Sequence, residues 1–161
     1  MLAFLAAPFV ASLILTGIHA YLGVHVVERG VIFVDLSLAQ IAALAPYKGT
    51  KIVTYHRSWP NFADRFGLDV MGYVEPRPGI PPSPSHTLDL INEMKRQNVK
   101  LILVEPYFDL KTPQSIGRET GAEVLMLPPS VGGAKEVTDY IGLFDYDVNA
   151  VVAAIKRTGA K

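Results

Sequence analysis

The chain contains no cysteine. That absence excludes a disulfide framework and any metal site built on thiolates. It does not fix the compartment. The chain also lacks an excess of either charge: 15 Lys and Arg balance 15 Asp and Glu. A protein held to nucleic acid by phosphate contacts needs a basic surplus or stripe, and neither is present. No glycine-rich phosphate loop follows a predicted strand, and no nucleophile elbow occurs. No Ser/His/Asp set stands in a recognisable local context either, so the chain is expected not to be an enzyme.

Charge is also missing locally. Residues 1–27 hold no Asp, Glu, Lys or Arg. Crossing the hydrocarbon core takes about 20 predominantly apolar residues in a helix, and this run is long enough. Pro8, Gly17 and Gly23 interrupt it, as membrane helices tolerate. A signal peptide is the competing reading. It would want a basic start and a nearby small-x-small cleavage site. No basic residue precedes the run, and Ala43-Leu44-Ala45 is distant and followed by Pro46. An N-terminal transmembrane helix is therefore expected.

A second apolar stretch, Val31–Ala45, is short for a span and contains Asp35 and Gln40. It is expected to be an interfacial or core-packing helix. One span and one short helix cannot enclose a path across a bilayer, so transport would need other subunits. His19 and His25 lie six residues apart, which does not place them on one helix face. Both are read as packing residues.

The character of the chain changes at Ala45/Pro46. This divides a membrane segment, residues 1–45, from an α/β lobe, residues 46–161. Strands are predicted at Lys51–His56, Asp69–Val74, Lys100–Glu105 and Glu123–Leu127. Helices are predicted at Ser58–Phe66, Ser85–Gln97, Lys111–Thr120, Lys135–Phe144 and Asp147–Arg157. Gly67 and Gly121 should end two of them. The second of these, Ser85–Gln97, should be amphipathic, with Leu88, Ile91 and Met94 on one face. The proline-rich Glu75–Pro84 should be an extended loop. Trp59 is read as a core residue beside Phe62 and Phe66.

Strand and helix alternating four times predicts an α/β fold, a four-stranded mostly parallel sheet flanked by helices. Ligands of such sheets bind beyond the carboxyl ends of the strands. His56, exposed-looking, ends the first strand, Glu75 follows the second and Glu105 ends the third. His86 is read as an exposed residue at a helix start rather than a ligand.

These residues resemble a known family. Tyr55-His56-Arg57-Ser58-Trp59-Pro60-Asn61-Phe62-Ala63, Gly72-Tyr73-Val74-Glu75-Pro76, Gly79-Ile80-Pro81-Pro82-Ser83-Pro84, Val104-Glu105-Pro106-Tyr107 and Leu127-Pro128-Pro129-Ser130-Val131-Gly132-Gly133 occur in order. Over residues 46–158 the chain resembles the carboxyl-terminal lobe of the zinc/manganese-binding proteins that feed metal-uptake ABC transporters. Gly30-Val31-Ile32-Phe33-Val34-Asp35-Leu36-Ser37-Leu38-Ala39-Gln40 resembles the start of a permease of the same transporter class.

The resemblance implies a metal, zinc first and manganese second, and ABC permease subunits as partners. It implies a membrane location with the lobe facing the periplasm or cell exterior. It carries His56 over as a metal ligand, and Glu105 as a residue at the edge of the site. Many members add an acidic ligand after the fourth strand; here that loop reads Pro128-Pro129-Ser130. The family's other lobe, with further histidine ligands, has no counterpart in these residues. One histidine cannot hold zinc tightly, since zinc takes four ligands or three and a water. The lobe would then hold an incomplete site. Alternatively a homodimer would complete the site across two chains.

Overall fold

Lys51–Thr54 (β1) and Leu101–Val104 (β3) form the middle of the sheet. Ile52, Val53 and all four residues of β3 are buried, as strands covered on both faces require. The structure, a computed structural model, describes residues 33–161 together with Ile14 and Thr16. The expected membrane helix of residues 1–27 lies outside the described residues apart from those two, as do His19 and His25. Among the described residues no helix is long and apolar enough to cross a membrane. The chain divides into two compact units, Met1–Leu38 and Ala39–Lys161. The second is described below.

Asp69–Tyr73 (β2) and Glu123–Met126 (β4) are the edge strands of a sheet ordered β2-β1-β3-β4. All three pairings are parallel, so the expected mostly parallel sheet is wholly so. Helices Phe33–Leu44 (α1), Pro60–Phe66 (α2), Pro84–Gln97 (α3), Lys111–Thr120 (α4) and Tyr140–Thr158 (α5) accompany it. Alternation along the strands sends Ile52, Leu101 and Leu103 to one face and Val53, Ile102 and Val104 to the other.

The first face is covered by Leu44 of α1, Phe62 and Phe66 of α2, and Val148, Val151 and Ile155 of α5. Trp59 belongs to this core, as expected. Ile41 and Ala43 of α1 pack against it, so the second apolar stretch ends as a core-packing helix. The second face is covered by Leu90 and Met94 of α3 and Ile116 of α4.

Chain punctuation follows the sequence closely. Pro60 opens α2, where its missing N–H costs nothing. Gly67 and Gly121 close α2 and α4 in the left-handed conformation, where a Cβ would be strained. Ser83 caps α3 by accepting from the His86 N–H.

Two expectations need correction. The apolar face of α3 is Leu90, Ile91 and Met94, whereas Leu88 is exposed. One turn of helix separates Leu90 from Met94, and Leu88 falls off that stripe. The two closing helices are one, α5. Residues 135–139 are not helical, and Asp139 caps the helix by accepting from the Gly142 N–H at 2.8 Å. The polar pair Asp145 and Asp147 does not break it, because Asp147 is itself buried.

Candidate metal centre

The strands of a parallel sheet all point their carboxyl ends the same way, so residues just past those ends share one rim. Thr54 pairs with Tyr73 on one side and with Leu103 on the other. Continuing both registers by two residues puts His56 level with Glu75 and with Glu105. Backbone bonds carry the ladder partway there: Glu75 N–H donates to Tyr55 O at 2.9 Å, and Tyr55 N–H donates to Leu103 O at 2.8 Å. The Thr54 hydroxyl then donates to His56 O at 2.6 Å, which fixes the turn leaving β1.

His56 is not the exposed residue that the sequence suggests. It is 7 % exposed, because Tyr55 and Phe108 pack edge-on against its ring at 5.0 and 4.7 Å. Its Nδ1 lies 2.8 Å from the Glu75 carbonyl oxygen. A carbonyl only accepts, so the neutral ring carries its hydrogen on Nδ1 and leaves the Nε2 lone pair free. That is the form in which imidazole binds a metal. Nε2 lies 3.8 Å from Glu75 Oε2.

Glu75 is 8 % exposed and Glu105 is 0 % exposed. Neither carboxylate oxygen of Glu105 has a hydrogen-bond partner. A buried, unpartnered carboxyl is costly unless a positive charge or a proton compensates it. The donor chemistry of this rim, imidazole and carboxylate, suits a divalent cation such as zinc. The field of these groups reaches their neighbours. Burial raises the Tyr55 phenol above its usual range, and a hydrogen bond toward Glu75 and the charges of Glu75, Asp109 and Glu105 add to it. Burial and then Glu105 raise Tyr107.

Of the residues singled out in the sequence, the rim brings His56 and Glu105 to one level. Glu75, noted there merely as a strand-end acid, is the residue that contacts His56. Its signal was available: it lies two residues past its strand pairing, as His56 does. His86 is half-buried rather than exposed, with Nε2 2.9 Å from the Tyr73 carbonyl oxygen, so it braces α3 against β2. Ser130 is exposed in its loop. No set of three His, Asp or Glu donors converges among the described residues.

The family model for ZnuA, the periplasmic zinc-uptake complex component A, matches residues 33–154. The match takes in Phe33–Gln40, part of the stretch that resembles a permease. Among solved structures, the chain is similar to the substrate-binding protein FpvC of Pseudomonas aeruginosa in complex with Mn2+. The identity is 29% and the TM-score 0.62, over 78% of this chain and 47% of that one. A ZnuA crystal structure matches at 25% identity and TM-score 0.63, over 74% of this chain and 44% of that one. FpvC has also been solved with Ni2+, matching at 30% identity and TM-score 0.62 over 79% of this chain and 48% of that one. The chain therefore spans about half the length of the structures it matches. No curated protein matches it. With the family model spanning well over half of its residues, the chain belongs to the ZnuA family of periplasmic zinc-uptake components.

Proposed function

We propose that this chain supplies the metal-holding lobe of a substrate-binding protein serving a metal-uptake ABC system. Its cargo is a divalent cation, zinc before manganese, and its partners are the permease subunits of that system. Residues 1–27 tether the lobe to the membrane, and the lobe works on the periplasmic or outer side. The observation that carries this reading is the state of His56, buried at the strand-end rim with Nδ1 tied to a carbonyl and Nε2 left as a donor. Glu105 adds a second buried carboxyl, without a hydrogen-bond partner, at the same level. The matched structures carry Mn2+ and Ni2+ in their complexes, which supports a cation as cargo. Imidazole as the leading donor favours zinc over manganese.

The lobe holds part of a coordination shell, and the remaining donors come from outside it. Calorimetric titration of the full chain with Zn2+, beside His56→Ala, tests the assignment. The variant should bind at least about tenfold more weakly. A metal-to-chain ratio of one half would mean that two copies share the ion. Equal binding by the two proteins would remove His56 from the site and the reading with it.

A further inference from the structure

We propose that Glu75 is the carboxylate donor of this lobe, paired with His56 as a two-ligand edge for the cation. The proposal rests on the metal-binding reading above and adds to it a residue from a different strand end. The loop after β4 opens on Pro128-Pro129-Ser130, and its two carboxylates, Glu136 and Asp139, are exposed, Asp139 being spent on capping α5.

Three observations point the same way. First, Glu75 Oε2 and His56 Nε2 are 3.8 Å apart. That is too long for a hydrogen bond. It is close to the span of two donors that share a zinc ion at about 2.0–2.2 Å each, and a small rotation of the glutamate side chain closes the difference. Second, the two facing atoms are both lone-pair donors once Nδ1 keeps the ring hydrogen for the Glu75 carbonyl. Two such atoms held together in a buried place repel unless a positive charge lies between them. Third, the fold invests in their placement. Glu75 holds the far side of the His56 ring through its own backbone, and its carboxylate faces the Tyr55 hydroxyl. Tyr55 in turn stacks on Phe108 at 4.4 Å and 7°. At the next strand end the buried Glu105 carboxyl has no hydrogen-bond partner, so a cation at this rim would compensate it as well.

The geometry also separates ligand from scaffold. Glu75 orients His56 with its main-chain oxygen, so replacing the side chain leaves that bond in place. Glu75→Gln keeps size and shape and removes the charge. Glu75→Asp keeps the charge on a shorter arm.

The experiment is titration of the full chain with Co2+, read by visible absorption and by competition with Zn2+. It compares the parent, His56→Ala, Glu75→Gln and Glu75→Asp, with far-UV circular dichroism as the folding control. Glu75→Gln should weaken both ions about 10–100-fold and shift the cobalt bands, with the dichroism unchanged. Glu75→Asp should recover part of the affinity. Parent-like binding by Glu75→Gln, with binding lost in His56→Ala, would overturn the glutamate's role and leave the metal-binding reading standing. Parent-like binding in His56→Ala as well, or no binding by the parent, would overturn both. Loss of dichroism in Glu75→Gln would pass the decision to Glu75→Asp, where weakened binding with shifted cobalt bands in a folded protein supports the proposal and parent-like affinity and bands overturn it.

Discussion

Glu75 grips both sides of His56: its carbonyl oxygen lies 2.8 Å from Nδ1, and its carboxylate Oε2 lies 3.8 Å from Nε2. One residue thus sets the tautomer of the ring and faces the nitrogen that the tautomer frees. Neither contact is local in sequence, since β2 must first lie beside β1.

The tautomer is directly measurable. In a 15N-labelled chain at a pH where the ring is neutral, long-range proton–nitrogen correlation should show the His56 hydrogen on Nδ1. A hydrogen on Nε2 would mean that the Glu75 carbonyl does not hold the ring.

Asp147 gives a pH signature to stability. Burial in α5 raises its carboxyl from 3.8 to about 7. The folded state therefore prefers the protonated form. Its contribution is fully present below the unfolded value of 3.8 and is lost as pH rises through about 7. Asp147→Asn should then stabilise the protein at pH 8 by about 1–2 kcal/mol, allowing for solvent screening, and change little at low pH. Urea melts at pH 4 and pH 8, followed by the fluorescence of the single buried Trp59, measure it. Equal shifts at both pH values would reject a titrating Asp147.

Gly117 tests packing against helix propensity. Alanine is the better helix former by about 1 kcal/mol. A Cβ at Gly117, however, would sit 2.7 Å from the Ala122 backbone oxygen and 3.2 Å from Val124 Cγ2. The backbone oxygen belongs to the turn into β4 and cannot swing away. Gly117→Ala should therefore destabilise the chain by about 1–3 kcal/mol in a urea melt. A gain in stability would show that α4 can slide on the sheet.

Much of the lobe could be read along the chain because its signals are local. β-branched and apolar runs marked the four strands, and Gly67 and Gly121 marked two helix ends. The split of α5 failed for a physical reason. Asp145 and Asp147 look like a helix start, but Asp147 is held in the core with a raised carboxyl, and Asp145 accepts a bond from Gln40 at 2.8 Å. Leu88 failed differently. It lies near the helical period of α3, but Leu90 and Met94 won the inner face.

The sequence by itself determined the alternation of strand and helix, the caps and stops, the absence of thiolate chemistry, and His56 as the residue to watch. All of these depend on neighbours within a few positions. The tertiary structure alone decided that His56 is buried, that Glu75 is its partner, and that Glu105 lies level with them without a hydrogen bond. Those facts depend on the order β2-β1-β3-β4 and on a parallel register, which set strand ends from distant parts of the chain side by side. Register is the sum of many weak packing choices on both faces of the sheet, and no single segment of the chain encodes it.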